Sequence, residues 1–159
     1  MILKIGKKAP QIVLPDQNGQ IFKLSNFLGK WVLVYFYPKD DTPGCTAESC
    51  SFRDNFPKFG KINAAILGVS ADSVASHKKF TIKYKLPFVL LADEQKKALK
   101  KYGVWQEKTL YGRKYMGIMR TSFLINPSGK IVKIYEKVKP DLHAKEVLSD
   151  LKLFAGKPK

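Results

Sequence analysis

The segment "KWVLVYFYP" limits what this chain can become more than any other. From Trp31 to Tyr37 it is continuously apolar, rich in aromatic and β-branched side chains, and it is closed by Pro38. A strand that alternates polar and apolar residues needs cover on one face. A strand with no polar residue needs cover on both. The chain must therefore build a sheet with a layer on either side. "INAAILGVSA" and "PFVLLAD" repeat the signal as two more buried strands. Between them, "SVASHKKFTIKYKL" puts Val74, His77, Phe80, Ile82 and Tyr84 near helical spacing. "EQKKALKKYG" reads as a helix closed by Gly103.

The flanks complete the pattern. "QIVLPDQNGQIFKL" alternates around Asn18-Gly19, a strong hairpin signal. Ser25 stands where it can cap a short helix ending at Leu28. "RTSFLINPSGKIVKIYEKV" reads as a hairpin turning over Asn126 to Gly129. Asp141 is placed to cap a last amphipathic helix carrying Leu142, Val147, Leu148, Leu151 and Phe154. These elements predict one α/β domain over residues 1–159, a three-layer sandwich with a central mixed β-sheet flanked by helices. A length of 159 residues with 45% apolar content is enough for such a core. "MILKIGKKAP" lacks the apolar run of a signal peptide, and Trp31–Tyr37 is too short to cross a bilayer. The expected location is cytoplasmic, with no membrane partner.

Open α/β sheets place their ligand sites beyond the carboxyl ends of the strands. Just past the first buried strand stands "DDTPGCTAESC". Thr42 suits an N-cap and Pro43 a first helical position, predicting a helix from about Pro43 to Phe56. Cys45 then occupies the third helical position, among unpaired amides and at the positive end of the helix dipole. Both favour the thiolate, which is the reactive form. Cys50 lies in the helix body without that help and is expected to be the more buried, more ordinary thiol.

Five residues along a helix separate two Cα atoms by about 8.6 Å and turn the side chains roughly 140° apart. A disulfide needs Cα atoms ~4.4–6.8 Å apart. These cysteines can bond only if the helix opens. In a reducing compartment such a pair reads as catalytic, redox-sensing or metal-binding rather than as a permanent staple. Zinc fits poorly: C-x4-C lacks the short knuckle, and His77 and His143 lack finger-like spacing. No metal and no cofactor are expected. His77 is expected at the core margin and His143 in solvent.

The net charge of +16 comes from 29 Lys and Arg against 13 Asp and Glu. Only Arg53, Arg113 and Arg120 are arginines, and lysine is spread along the chain without a basic tail. Arginine is the usual choice for bidentate phosphate and base-edge recognition. The charge reads as a solvated surface that attracts acidic partners over long range, not as a specific nucleic-acid site.

Pro38-Lys-Asp-Asp-Thr42-Pro-Gly-Cys45, with Glu48 three residues on, resembles the peroxiredoxin pattern of Pro, three residues, Thr, two residues, Cys. Cys50 is similar to the resolving cysteine of the Q-type branch, the bacterioferritin comigratory proteins. "KYGVWQEKTLYGRKYMGIMRTSFLIN" is similar to that branch's later segment, and Arg120 falls on its active-site arginine. Local departures are Met119 where an acid is frequent, an inverted Thr-Ser order in "RTSF", and Asn126 where Asp is common.

The resemblance implies a thioredoxin-like fold and a thiol peroxidase acting on hydrogen peroxide and organic (alkyl) hydroperoxides. It implies that Cys45 becomes a sulfenic acid, that Cys50 resolves it as a Cys45–Cys50 disulfide, and that thioredoxin or a similar dithiol recycles the enzyme. Arg120 and the Thr42 hydroxyl would stabilise the departing oxygen. Glu48 would hold Arg120, while Pro38 and Pro43 would shield the sulfur. The branch leans toward a monomer, with a weak dimer as the alternative. A general thiol–disulfide oxidoreductase is the competing reading, but it would want C-x-x-C, closable across one intact helical turn.

Overall fold

A computed structural model describes residues 3–155, so the two ends of the expected 1–159 domain lie outside the described residues. In chain order the elements are β1 (Val13–Pro15), β2 (Ile21–Lys23), β3 (Trp31–Phe36), α1 (Pro43–Lys61), β4 (Ala64–Ser70), α2 (Val74–Tyr84) and β5 (Val89–Ala92). Then come α3 (Lys97–Lys101), β6 (Trp105–Leu110), β7 (Arg113–Ile118), β8 (Thr121–Ile125), β9 (Ile131–Tyr135) and α4 (His143–Ala155). Five strands form the central sheet in the order β5-β4-β3-β8-β9. β3, β4 and β5 run parallel, whereas β8 and β9 are antiparallel to their neighbours, so the sheet is mixed as expected.

β3 is central and covered on both faces. Val32, Val34 and Phe36 point to one side and pack with Ile12, Leu14, Leu99, Tyr102 and Phe123. Leu33, Tyr35 and Tyr37 point to the other, among Phe52 and Phe59 of α1, Phe80 of α2, and Val147 and Leu151 of α4. The polar-free stretch thus builds two cores, and the sheet stands between three helices on one side and α3 with the β1–β2 hairpin on the other.

Several local expectations change. α1 runs past Phe56 to Lys61 although Pro57 lies inside it. Tertiary packing overrides the local stop signal, because Phe59 is fully buried edge-on to Phe52, ring centroids 5.9 Å apart. Ser25 lies inside a 3-10 helix, Leu24–Phe27, and does not cap it. Its hydroxyl and amide instead bond the Gln11 side chain at 3.0 and 3.1 Å. α3 is shorter than its sequence pattern, and Asp93 holds its start by accepting the amides of Lys97 and Leu99, both at 2.8 Å. Asp141 does not cap α4, since the helix opens at His143 and the Glu146 amide bonds the Leu142 carbonyl. Leu142 and Ile82, placed on apolar stripes by sequence, are exposed.

The hairpin β6–β7 has no counterpart in the sequence reading. It turns at Tyr111 and Gly112, both with positive φ (51° and 76°), the geometry of a type I′ turn. Nearly all its side chains face solvent, so it lacks the apolar face by which strands are recognised.

Candidate active site

Helix α1 begins directly beyond the carboxyl end of β3. Its buried residues are Cys45, Glu48, Ser49, Phe52, Asn55 and Phe59, a stripe at spacings of three and four. Cys45 heads that stripe and is only 1% exposed. Cys50 falls off it, about 140° away from Cys45 around the helix, and is half-buried. The expectation that Cys50 is the more buried thiol is therefore reversed: the stripe that anchors α1 starts at the reactive cysteine. Both thiols are free. Burial and the nearby Asp54 raise the Cys50 pKa, against the pull of Arg53.

Arg120 enters from the short link between β7 and β8, and β8 is paired with β3. Its Nη2 donates to Cys45 Sγ at 3.2 Å and its Nη1 to Glu48 Oε1 at 2.7 Å. Glycine at position 44 permits this approach, because a Cβ there would lie 3.1 Å from Arg120 Nη2. Burial works against the guanidinium charge, but Glu48 and Cys45 outweigh it and raise the Arg120 pKa. Glu48 is fully buried, and its Oε2 has no hydrogen-bond partner among the described residues. Burial pushes its carboxyl up to about 7, although Arg120 pulls the other way. Lys108 of β6 is within the field of the site: burial and then Arg120 lower its pKa, while Cys45 raises it.

Thr42 occupies the N-cap position with extended backbone angles, yet its side chain does not cap α1. Its Oγ1 donates to the Lys39 carbonyl at 2.8 Å instead. Cys45 is the third helical residue, as the sequence predicts. Pro38 is half-buried and Pro43 exposed.

Both histidines are more deeply placed than expected. His143 is fully buried rather than solvated, with Nε2 2.8 Å from Ser122 Oγ and Nδ1 3.0 Å from Glu146 Oε1. Burial lowers its pKa, and Phe52 and Tyr135 pack edge-on to its ring. His77 is likewise fully buried, bonded to Asp40, a loop residue that sequence reading passed over.

A cysteine buried at a helix start, with an arginine on its sulfur and a carboxylate on the arginine, suits stabilisation of a thiolate and of charge developing on a bound oxygen. The AhpC/TSA family profile matches residues 5–134. Peroxiredoxin Bcp of Bacillus subtilis is 46% identical over 152 residues, covering 96% of this chain and 97% of the relative. The chain is a peroxiredoxin. Peroxiredoxin Bcp of Escherichia coli is similar too, 44% identical over 94% of this chain and 96% of its own length. Among solved structures, a PrxQ mutant of Xylella fastidiosa superposes with a TM-score of 0.92 at 38% identity, covering 98% of this peroxiredoxin and 99% of that chain. A Xanthomonas campestris bacterioferritin comigratory protein, studied for alkyl peroxide reduction, gives 0.86 at 41% identity over 91% and 92%. The thioredoxin-like fold, the Q-type branch and thiol peroxidase activity are those implied by the sequence motif.

Proposed function

We propose that this peroxiredoxin reduces hydrogen peroxide and alkyl hydroperoxides at Cys45 and is recycled through a Cys45–Cys50 disulfide. The Arg120 hydrogen bond to Cys45 Sγ, with Glu48 behind it, carries this reading. The thiolate attacks the nearer peroxide oxygen, the O–O bond breaks, and the departing oxygen takes a proton to leave as water or an alcohol. The product is a Cys45 sulfenic acid. Arg120 stabilises the charge passing to the oxygens. Thr42 has its proton on the Lys39 carbonyl, so its oxygen accepts the peroxide O–H, and the residue orients rather than protonates. Glu48 holds Arg120 in register, and Pro38 and Pro43 border the entrance.

The Cys50 thiol then attacks the sulfenic sulfur, expelling water and closing the disulfide. That requires α1 to open, since an intact helix holds the pair too far apart. An external dithiol of the thioredoxin kind reopens the bond by exchange. The enzyme acts as a single-domain cytoplasmic monomer. Stopped-flow mixing with hydrogen peroxide tests the assignment. Cys45→Ser should abolish oxidation, whereas Cys50→Ser should keep the first step, accumulate sulfenic acid and lose dithiol-driven turnover. Peptide mass mapping after one equivalent of peroxide should find a Cys45–Cys50 link in wild type. A wild-type rate no faster than free cysteine would refute the proposal.

A further inference from the structure

The loop between β3 and α1, which delivers Cys45, is tied to α2 by a buried network that the chemistry above does not use. Asp40 is its centre and is 7% exposed. Its Oδ1 accepts the Tyr37 hydroxyl at 2.5 Å, and its Oδ2 accepts Ser76 Oγ at 2.8 Å and faces His77 Nδ1 at 2.7 Å. His77 Nε2 lies 2.9 Å from the Leu91 carbonyl, which can only accept, so Nε2 carries a proton. The Asp40 amide donates to Asp72 Oδ2 at 2.8 Å, and the same oxygen accepts Ser70 Oγ at 2.6 Å. Asp41 adds a second tie. It holds a left-handed backbone (φ 58°) while its carboxylate accepts Lys83 Nζ and Tyr84 Oη of α2, both at 2.7 Å.

Asp40, Asp72 and His77 offer ligand atoms within 4.8 Å of one another, the spacing of a metal site. The bonds above already engage both Asp40 oxygens, Asp72 Oδ2 and both His77 nitrogens, so the cluster works as a hydrogen-bonded clamp. Such saturation rigidifies a segment. By contrast, Cys50 itself is half-buried and lies off the buried stripe of α1, and the helical bonds around it must break during turnover.

We propose that Asp40 and His77 are positioning residues that fix the peroxidatic loop to α2, so that α1 opens from the Cys50 side while residues 38–42 stay in place. The proposal rests on the Cys45–Cys50 cycle above. It assigns the opening a direction: the resolving thiol travels and the loop preceding Cys45 does not. Arg120 and Thr42 then meet each returning thiolate in the same geometry, and displacements of about 1 Å in such geometry cost up to roughly a hundredfold in rate.

Hydrogen exchange on the wild-type enzyme tests the direction without mutation. The Asp40 amide should be equally protected in reduced and oxidised protein, while Thr46 to Phe52 exchange faster after oxidation. Loss of Asp40 protection on oxidation would overturn the clamp.

Substitutions then separate positioning from mere folding. His77→Asn keeps a donor near the Nδ1 position and so keeps the Asp40 bond. His77→Gln keeps a donor near Nε2 and loses it. His77→Gln and Asp40→Asn should slow peroxide oxidation of Cys45 at least about tenfold, with the later disulfide-forming step unchanged or faster, and His77→Asn should stay within a fewfold of wild type. If both His77 variants slow in proportion to their lost thermal stability, the role is structural only and the proposal fails. A wild type that does not react with peroxide would instead refute the proposed function, which keeps the two failures distinct.

Discussion

Replacing Glu48 by Gln should change how the stability of this protein depends on pH, and the structure sets the size of the change. The Glu48 carboxyl is fully buried, with one oxygen on Arg120 and the other without a partner among the described residues. Burial lifts its pKa from an ordinary 4.5 to about 7. A carboxyl whose folded pKa is raised binds its proton more tightly in the folded state. The stability this gives is fully present below pH 4.5 and is lost as pH rises through 7. At about 1.4 kcal/mol per pKa unit, the loss is at most about 3 kcal/mol. Gln cannot ionise, keeps an acceptor for Arg120 and has nearly the same shape. Relative to Glu48→Gln, wild type should lose about 3 kcal/mol between pH 4 and pH 8, roughly 10 °C in melting temperature for a chain of this size. Thermal melts of the reduced proteins across that range, at constant ionic strength, read the difference directly. Parallel curves would refute the reasoning, because they would mean that Glu48 ionises as it does in water.

Other outcomes follow from the same site. Arg120→Lys keeps the charge but cannot donate to Cys45 Sγ and Glu48 Oε1 from one planar group, so stopped-flow oxidation by peroxide should slow about tenfold or more. Gly44→Ala puts a methyl group 3.1 Å from Arg120 Nη2 and should lower peroxide reactivity severalfold with little change in melting temperature. An equally reactive variant would show that the arginine has room to shift. Oxidation should speed amide exchange over Thr46 to Asp54, leave β3 unchanged and lower the melting temperature. Opening α1 withdraws Phe52 from Tyr35, Phe59 and His143, whose rings lie 4.9 to 5.9 Å away. Unchanged exchange with the disulfide confirmed by mass would rule out helix opening.

The two-sided β3 and the register of Cys45 were legible because each rests on local chemistry: a polar-free strand and a Thr-Pro-Gly helix start. The deep burial of Cys45 was legible too, had periodicity been weighed above residue type. It shares helical spacing with Phe52 and Phe59, and Cys50 does not. His143 repeats the lesson. Its polarity suggested solvent, yet it stands four and eight residues before Val147 and Leu151 on one stripe. Hydrogen bonds to Glu146 and with Ser122 satisfy the ring and permit the burial. Other features were not legible. The β6–β7 hairpin has no apolar alternation, and its turn depends on Tyr111 adopting a positive φ that residue type does not announce. The Asp40–His77 contact joins residues 37 positions apart through tertiary folding alone.

That Cys45 is almost as inaccessible as Leu33 or Phe59 makes the folded helix a sieve. A bulky alkylating dye added to the reduced protein would label Cys50 first and undercount the thiols. A peroxide is small enough to find the sulfur that the dye misses, and an alkyl hydroperoxide must lead with its peroxide end. Selection by size thus comes before any hydrogen bond to the oxidant, and it is carried out by the same packing that holds α1 against the sheet.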